Sequence, residues 1–199
     1  MRLFIAINCN EEVKRNILAV QDRIRKNAKQ GNYSLPENLH ITLVFLGETA
    51  EERLPEIIDA IKQTVLPEEK PPSPVNLIFS KAEFFKRGGK ELWFMGIDKE
   101  NRSGEAKLKE LQNALAARLI AKNFDIDKRP FTAHITLGRE IINGPWPFKT
   151  GNIAVQVKRV SLMLSEHRHS GGKNKLVYTE LFGADLGATT TDKSGGAGQ

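Results

Sequence analysis

The tetrapeptide His-Ile-Thr-Leu occurs twice in this chain of 199 residues, at positions 40–43 and 134–137. Each copy lies in an apolar, β-branched run that predicts a strand, and each follows a segment whose apolar residues recur at helical spacing. A predicted strand precedes each of these helices, and the number of residues between the two strands is nearly the same as the number between the two tetrapeptides. We therefore expect two similar lobes related by a pseudo-two-fold axis.

The order of the predicted elements favours an α+β fold over a doubly wound parallel sheet. Each lobe is expected to hold an antiparallel β-sheet with helices packed on its outer face, and a cleft is expected between the lobes. The first helix is predicted to begin after Asn10, the second after a capping box of Thr49 and Glu52, and the third to end near Asn123. The predicted strands cover residues 2–8, 39–46, 75–85, 91–97, 130–139, 153–164 and 175–182.

Several segments are predicted to be irregular. Residues 31–34 have the composition of a turn, residues 66–74 contain four prolines, and residues 165–174 form a polar loop. From position 184 onward the chain is rich in Gly, Thr, Ser and Ala, with almost no large apolar side chains to bury. The sequence therefore predicts one bilobal domain over residues 1–183 and a flexible tail over residues 184–199.

Composition excludes several classes of protein. Lys and Arg total 30 against 24 Asp and Glu, and the net charge of +6 favours polyanionic partners without defining a chemistry. The single cysteine, Cys9, excludes an internal disulfide and a cysteine-based metal site. No apolar run reaches the roughly 18 residues of a membrane-spanning helix, and residues 1–8 lack the sections of a signal peptide. We expect a cytoplasmic protein that binds no membrane.

Each tetrapeptide places the same two polar groups on one face of its strand. Alternate residues of a strand share a face, so His40 lies beside Thr42, and His134 lies beside Thr136. Imidazoles titrate near neutral pH and act as acid and base, and hydroxyls donate hydrogen bonds to phosphate oxygens. Across a cleft, these groups would form a site for phosphoryl transfer. Two histidines without regularly spaced carboxylates or cysteines do not complete a zinc site.

A structural role is the alternative for any single histidine on a strand. A repeat kept only for packing would retain its isoleucine and leucine, however, and this repeat also retains the polar pair on the opposite face. The duplication therefore favours a functional site.

These motifs and their flanks resemble the 2H phosphoesterase superfamily and, within it, the RNA 2′,3′-cyclic phosphodiesterases, also called the 2′-5′ RNA ligase family. The resemblance covers roughly residues 1–182. It rests on RLFIAI at 2–7, LPENLHITLVFLG at 35–47, LW at 92–93 and PFTAHITLGR at 130–139. It implies two α+β lobes around a central cleft, and metal-independent, cofactor-free hydrolysis of a terminal RNA 2′,3′-cyclic phosphate to a 2′-phosphate. In the reverse direction the same site is expected to join RNA ends through a 2′-5′ linkage, because a catalyst accelerates both directions.

The resemblance assigns roles to matching positions. It implies that His134 is the base and His40 the acid, and that Thr42 and Thr136 bind the phosphate. Arg139, three residues after the second threonine, suits the same task because its planar guanidinium is always charged and donates two parallel hydrogen bonds.

Two aromatic residues flank the motifs. Phe45 and Phe131 are candidates either for stacking a terminal base or for packing in the core. The family also brings a serine and a tyrosine toward the cleft, but the register of residues 165–178 does not assign them here. The implied partner is RNA with a 2′,3′-cyclic phosphate end, including the halves of a cleaved tRNA, and the protein is expected to be a monomer that uses no metal.

Two other functions stay open at this point. The first is an RNA-binding module that holds phosphorylated ends without turnover, against which the intact duplication of His and Thr speaks. The second is a phosphodiesterase for a small nucleotide, such as a cyclic nucleotide or a 2′-5′ oligoadenylate. Basic surface loops favour RNA.

Overall fold

All strand pairings in the structure are antiparallel, and they join nine strands of the described residues into one sheet. The computed structural model describes residues 1–67, 72–127, 129–170 and 173–187. The strands are β1 (Arg2–Asn8), β2 (Gln30–Tyr33), β3 (His40–Glu48), β4 (Val75–Arg87), β5 (Lys90–Ile97), β6 (His134–Ile142), β7 (Phe148–Val157), β8 (Arg159–Ser170) and β9 (Lys173–Asp185). The helices are α1 (Glu11–Asn27), α2 (Leu54–Val65) and α3 (Arg102–Ala121).

The two strands that carry the tetrapeptides, β3 and β6, are neighbours in the middle of the sheet. The strand order is β7-β4-β5-β6-β3-β1-β8-β9, and β2 pairs with β6 beside this path. Ile41 lies opposite Ile135 where β3 meets β6. The prediction of helices combined with an antiparallel sheet is confirmed, whereas the pseudo-two-fold relation of two lobes stays a prediction.

Helix α1 illustrates how the local sequence builds this fold. The side chain of Asn10 accepts a hydrogen bond from the backbone N–H of Val13 at 2.9 Å, so it satisfies one of the free N–H groups of the first turn, as expected. Its apolar stripe is buried, and α1 lies against β2, β6 and β7. Helix α2 packs against α3, β8 and β9, and α3 also packs against β4.

The helices cover only one face of the motif strands. Ile41 and Leu43 are buried in the main core, and so are Ile135 and Leu137. The residues that alternate with them are half-buried and point to the opposite face, as the period of a strand requires. This alternation keeps the polar pair of each tetrapeptide out of the core.

The prediction of a turn at residues 31–34 is wrong, because residues 30–33 form β2 and pair with β6. Gly31 makes this pairing possible. A Cβ atom on Gly31 would lie 2.5 Å from Cγ1 of Ile141, so only glycine allows such a close approach. The residue that suggested a turn is needed for close packing within the sheet.

The prediction of a polar loop at residues 165–174 is also wrong. The pairing of β8 with β9 continues to Ser170 and Lys173, because main-chain hydrogen bonds do not require apolar side chains. The strand predicted over residues 153–164 is instead divided between β7 and β8 at Lys158.

The predicted capping box before α2 does not form. The hydroxyl of Thr49 donates to the carbonyl of Gly47 at 3.4 Å, and a 3-10 helix over Glu51–Arg53 leads directly into α2. Pro55 in the first turn of α2 suits this start, since its missing N–H would have had no partner there.

The folded region extends past residue 183. Strand β9 runs to Asp185, and Ala184 and Leu186 are buried in the core. Residues 188–199, which are most of the expected tail, lie outside the described residues, as do residues 68–71 of the irregular segment predicted over residues 66–74. Within the described part of the chain, none of the helices has the length and hydropathy needed to span a membrane.

Candidate active site

A cleft of about 840 Å³ opens on the face of β3 and β6 that the helices leave uncovered. Six of the seven predicted site residues line it: His40, Thr42, Phe45, His134, Thr136 and Arg139. The sequence pattern places two of these groups on each motif strand, and the central position of both strands brings the four together. Extended by one residue in each direction, the Ile41–Ile135 register aligns His40 with Thr136 and Thr42 with His134.

Both imidazoles are held in the same way. Nδ1 of His40 lies 2.7 Å from the carbonyl oxygen of Asn38, and Nδ1 of His134 lies 2.8 Å from the carbonyl oxygen of Thr132. A carbonyl can only accept, so each Nδ1 carries a proton and donates it to the backbone two residues earlier. In the neutral ring, Nε2 is then the basic nitrogen. For His40, Nε2 accepts from the Thr42 hydroxyl at 3.0 Å.

Two aromatic rings pack around His40. Phe4 lies 5.0 Å from the imidazole and Tyr178 lies 5.3 Å from it, and the two rings contact each other at 4.8 Å, all between centroids. Burial by these neighbours lowers the pKa of His40, and the charges of a protonated His134 and of Arg139 lower it further. The bond to the Asn38 carbonyl acts in the opposite direction. Burial likewise raises the pKa of the Tyr178 hydroxyl.

The cleft is electropositive. Arg139 and Arg2 both line it, and within the part of the chain that the structure describes neither guanidinium forms an ion pair with a carboxylate. Arg2 lies over the ring of Phe45, with its guanidinium carbon 5.3 Å from the ring centroid. Because Phe45 is 44% exposed and lines the cleft, its ring is accessible to a bound molecule.

Phe131 lies elsewhere. It packs partly against the core and lines a separate pocket of about 300 Å³ between α3 and the segment before β6. Of the two roles predicted for Phe131, the structure favours packing.

Several cleft residues were not identified from the sequence. Ser34 donates through its hydroxyl to the carbonyl of Thr136 at 2.8 Å, and Asn38 donates through Nδ2 to the carbonyl of Leu176 at 2.8 Å. Both contacts join residues more than 100 positions apart, so no local pattern signals them. Ser165, His167 and Tyr178 also line the cleft, and the pairing of β8 with β1 and β9 brings them there.

A buried amide links the motif strand β6 to helix α1. Nε2 of Gln21 donates to the carbonyls of Ser34 and Leu137, at 2.9 and 2.7 Å. Gln21 is 1% exposed, so these two carbonyls satisfy donors of a side chain that water does not reach. The helix thereby fixes the segment that supports Thr136.

We expect His40 to titrate below the usual histidine pKa of about 6.5, because burial and two nearby positive charges disfavour its charged form. The substitution Arg139→Gln removes one of these charges and should raise the pKa of His40. An NMR titration of the imidazole signals measures both values, and His40→Ala identifies the signal by its loss. A wild-type pKa at or above 6.5, or a decrease in Arg139→Gln, would contradict this account.

An antiparallel α+β fold that presents two His-x-Thr pairs to one cleft defines the class of the 2H phosphoesterases. Comparisons with known proteins agree with this class. The model of the 2′-5′ RNA ligase superfamily matches residues 13–178. The chain belongs to the 2′-5′ RNA ligase superfamily, and the resemblance stated from its motifs is confirmed.

Named relatives support the same placement. A Thermotoga maritima protein named RNA 2′,3′-cyclic phosphodiesterase is 30% identical over 139 residues, which cover 70% of this chain and 70% of the relative. A protein of the same name from Methanocaldococcus jannaschii is 32% identical over 168 residues, covering 73% of this chain and 95% of the relative. These names describe hydrolases.

Solved structures show the same fold. A protein of Thermus thermophilus aligns with a TM-score of 0.74 at 27% identity, covering 94% of this chain and 98% of that one. The crystal structure of E. coli LigT complexed with 3′-AMP aligns with a TM-score of 0.74 at 24% identity and the same coverage.

Proposed function

We propose that this protein hydrolyses terminal 2′,3′-cyclic phosphates of RNA to 2′-phosphates. Its relatives are named RNA 2′,3′-cyclic phosphodiesterases, which supports the proposal. The observation that carries the proposal is the convergence of two identical His/Thr pairs on one cleft, each with Nδ1 bonded to the backbone. This leaves a basic Nε2 on each ring as the group that exchanges protons. A substrate with a vicinal 2′-oxygen is required, so DNA is excluded by its chemistry.

The proposed reaction needs one base and one acid. His134 accepts a proton from water as the water oxygen bonds to phosphorus, and His40 donates a proton to the departing 3′-oxygen as the phosphorus–oxygen bond breaks. The product keeps its phosphate on the 2′-oxygen. When the 5′-hydroxyl of another RNA replaces the water, the same steps form a 2′-5′ linkage.

The other cleft residues are proposed to bind the phosphate. When Nε2 of His40 is protonated, it no longer accepts from Thr42, and the Thr42 hydroxyl is free to donate to the phosphate. The hydroxyls of Thr42 and Thr136 and the guanidinium of Arg139 then donate to the non-bridging oxygens, whose negative charge grows in the transition state. The lack of an ion-pair partner for Arg139 among the described residues supports this role, since its charge is available to an anion. Phe45 is proposed to stack on the terminal base.

We also propose that the sheet consists of two lobes related by a pseudo-two-fold axis near Ile41 and Ile135, in a monomer that acts in the cytoplasm. The strand order supports the axis. From the centre outward, β3-β1 on one side corresponds to β6-β5 on the other, and β1-α1-β3 corresponds to β5-α3-β6 along the chain.

Hydrolysis is expected to proceed in excess EDTA. Among the described residues, no three His, Cys, Asp or Glu side chains form a group that could hold a metal ion. Histidines replace the metal as acid and base in the proposed reaction. The measurement is the hydrolysis rate of RNA with a cyclic phosphate end, before and after chelation.

A substrate panel makes this experiment decisive. It includes nucleoside 2′,3′-cyclic phosphates, 3′,5′-cyclic nucleotides and 2′-5′ linked dinucleotides. Activity lost in EDTA and restored by one divalent ion would overturn the metal-independent mechanism. Binding of RNA ends without turnover of any substrate would identify a binding module, and turnover of only a 3′,5′-cyclic nucleotide or a 2′-5′ dimer would identify a small-nucleotide enzyme.

A further inference from the structure

Phe4 and Tyr178 pack around His40, and a second pair of aromatic residues, outside the cleft, lies next to His134. Phe94 contacts the ring of His134 edge-on, with centroids 5.9 Å apart, and it lies opposite Thr136 in the β5–β6 pairing. Phe85, on the adjacent strand β4, stacks on Phe94 with centroids 4.6 Å apart and an angle of 17° between the rings. The two phenyl rings thus continue the open face of the sheet away from His134.

Exposure distinguishes the outer ring of this pair. Phe94 is 8% exposed, whereas Phe85 is 62% exposed. Phe84, the residue before Phe85, points to the opposite face. Its ring packs against Trp93 in the core, with centroids 5.0 Å apart. Phe94 covers one side of the Phe85 ring, so the accessible side is a flat aromatic surface facing solvent.

The hairpin that carries Phe85 is fixed to the rim of the cleft. Lys90 at its turn donates to Oε1 of Glu140 at 2.8 Å, and Asn32 donates to Oε2 of the same carboxylate at 2.9 Å. Asn32 and Glu140 both line the cleft. The aromatic surface is therefore held at a set position relative to the site, and not on a freely moving loop.

We propose that Phe85 is a stacking site for the base of the penultimate nucleotide of an RNA substrate, an inference that rests on the proposed function. A 2′,3′-cyclic phosphate is at the 3′ end of its RNA, so the chain continues only in the 5′ direction from the cleft. Aromatic rings bind unpaired bases of any sequence by stacking. Two ring contacts separate Phe85 from the imidazole of His134, and the nucleotide next to the reacting one is proposed to span that separation.

The site predicts a preference that depends on substrate length. Adenosine 2′,3′-cyclic phosphate has no second base and cannot use Phe85, whereas a trinucleotide ending in the same group can. We expect Phe85→Ala and Phe85→Leu to lower kcat/KM for the trinucleotide by about 5- to 20-fold, mainly through KM. Phe85→Trp keeps the aromatic face and should retain near-wild-type values. On the mononucleotide, all three variants should match wild type.

Ile120→Ala is the matched control, because Ile120 is an exposed apolar residue, 54% exposed, on α3. Ile120→Ala should leave kcat/KM unchanged for both substrates. Rates on the mononucleotide show whether each Phe85 variant is folded, and the comparison of leucine with tryptophan still tests stacking if alanine unfolds the hairpin.

The outcomes separate this inference from the proposed function. Equal losses on both substrates, or no loss on the trinucleotide, would overturn the stacking site while leaving the proposed function intact. A wild-type protein that hydrolyses neither substrate would overturn the proposed function, and the stacking site with it.

Discussion

Replacement of either His40 or His134 by alanine is expected to lower the hydrolysis rate of a cyclic-phosphate RNA end by about 10²- to 10⁴-fold, the usual contribution of a positioned acid or base. Both rings line the same cleft and present Nε2. In the proposed reaction one ring accepts a proton while the other donates one, so neither can replace the other. Initial rates at saturating substrate, with thermal unfolding as a check of the fold, measure the effect. A folded variant that keeps a third of the wild-type activity would refute the two-histidine mechanism.

Asparagine provides a sharper test than alanine at the same positions. Its amide N–H can replace the Nδ1–H donor to the Asn38 or Thr132 carbonyl, but it has no group that titrates near neutral pH. We expect His40→Asn and His134→Asn to be as inactive as the alanine variants. The double variant should lose little more than either single one, because acid and base act in one step.

Arg139→Gln is expected to lower kcat/KM by about 10- to 100-fold, the range for hydrogen bonds to a charged group. Arg139 is exposed on β6 at the cleft, and its charge is not neutralised by a carboxylate among the described side chains. Arg139→Lys keeps the charge without the two parallel donors, so it should lose less. Steady-state kinetics on one RNA substrate give the three values.

Arg129→Gln controls for the change in net charge. Arg129 is exposed and paired with Asp127, and it does not line the cleft, so its substitution should leave kcat/KM unchanged. If Arg139→Gln behaved like Arg129→Gln, Arg139 would be a surface residue without a role in phosphate binding.

The pH profile of Arg139→Gln tests whether the charge of Arg139 acts on His40. The wild-type rate should be bell-shaped, and loss of this cation should raise the pKa of His40. The limb of the profile that reports His40 should therefore move to higher pH in Arg139→Gln, whereas Arg129→Gln should leave both limbs in place. A wild-type rate that rises steadily through pH 9 would exclude a required protonated histidine.

Sequence periodicity predicted most of the fold, and the reasons are local. The alternation around Ile41 and Ile135 identified both motif strands, and Asn10 marked the start of α1. Errors arose where a residue's local preference was overruled by its partner strand. Glycine is common in turns, but Gly31 lies in a strand because Ile141 approaches it too closely for any larger residue. The polar residues of β8 are extended because β9 pairs with them.

The site was predicted as far as repetition could identify it. The duplicated polar pairs and Arg139 lie within or beside the motifs, so spacing placed the groups of each motif on one strand. The pairing of β3 with β6 brings the two motifs together. Tyr178 is brought to His40 by the pairing of β8 with β1 and β9, which no local pattern reports. Phe131 shows that nearness to a motif in the sequence can also mislead: it lies three residues before His134 but lines a separate pocket and not the cleft.

The single register position where Ile41 meets Ile135 limits how the length of this chain can change. One residue inserted or deleted within β3 or β6 would exchange the two faces of that strand, sending an imidazole into the core and an isoleucine into the cleft. A change of two residues would restore the faces but displace the histidine by about 7 Å along the strand. Insertions and deletions are therefore compatible with this site only in the connections, where the hairpin tips and loops can lengthen without moving either imidazole.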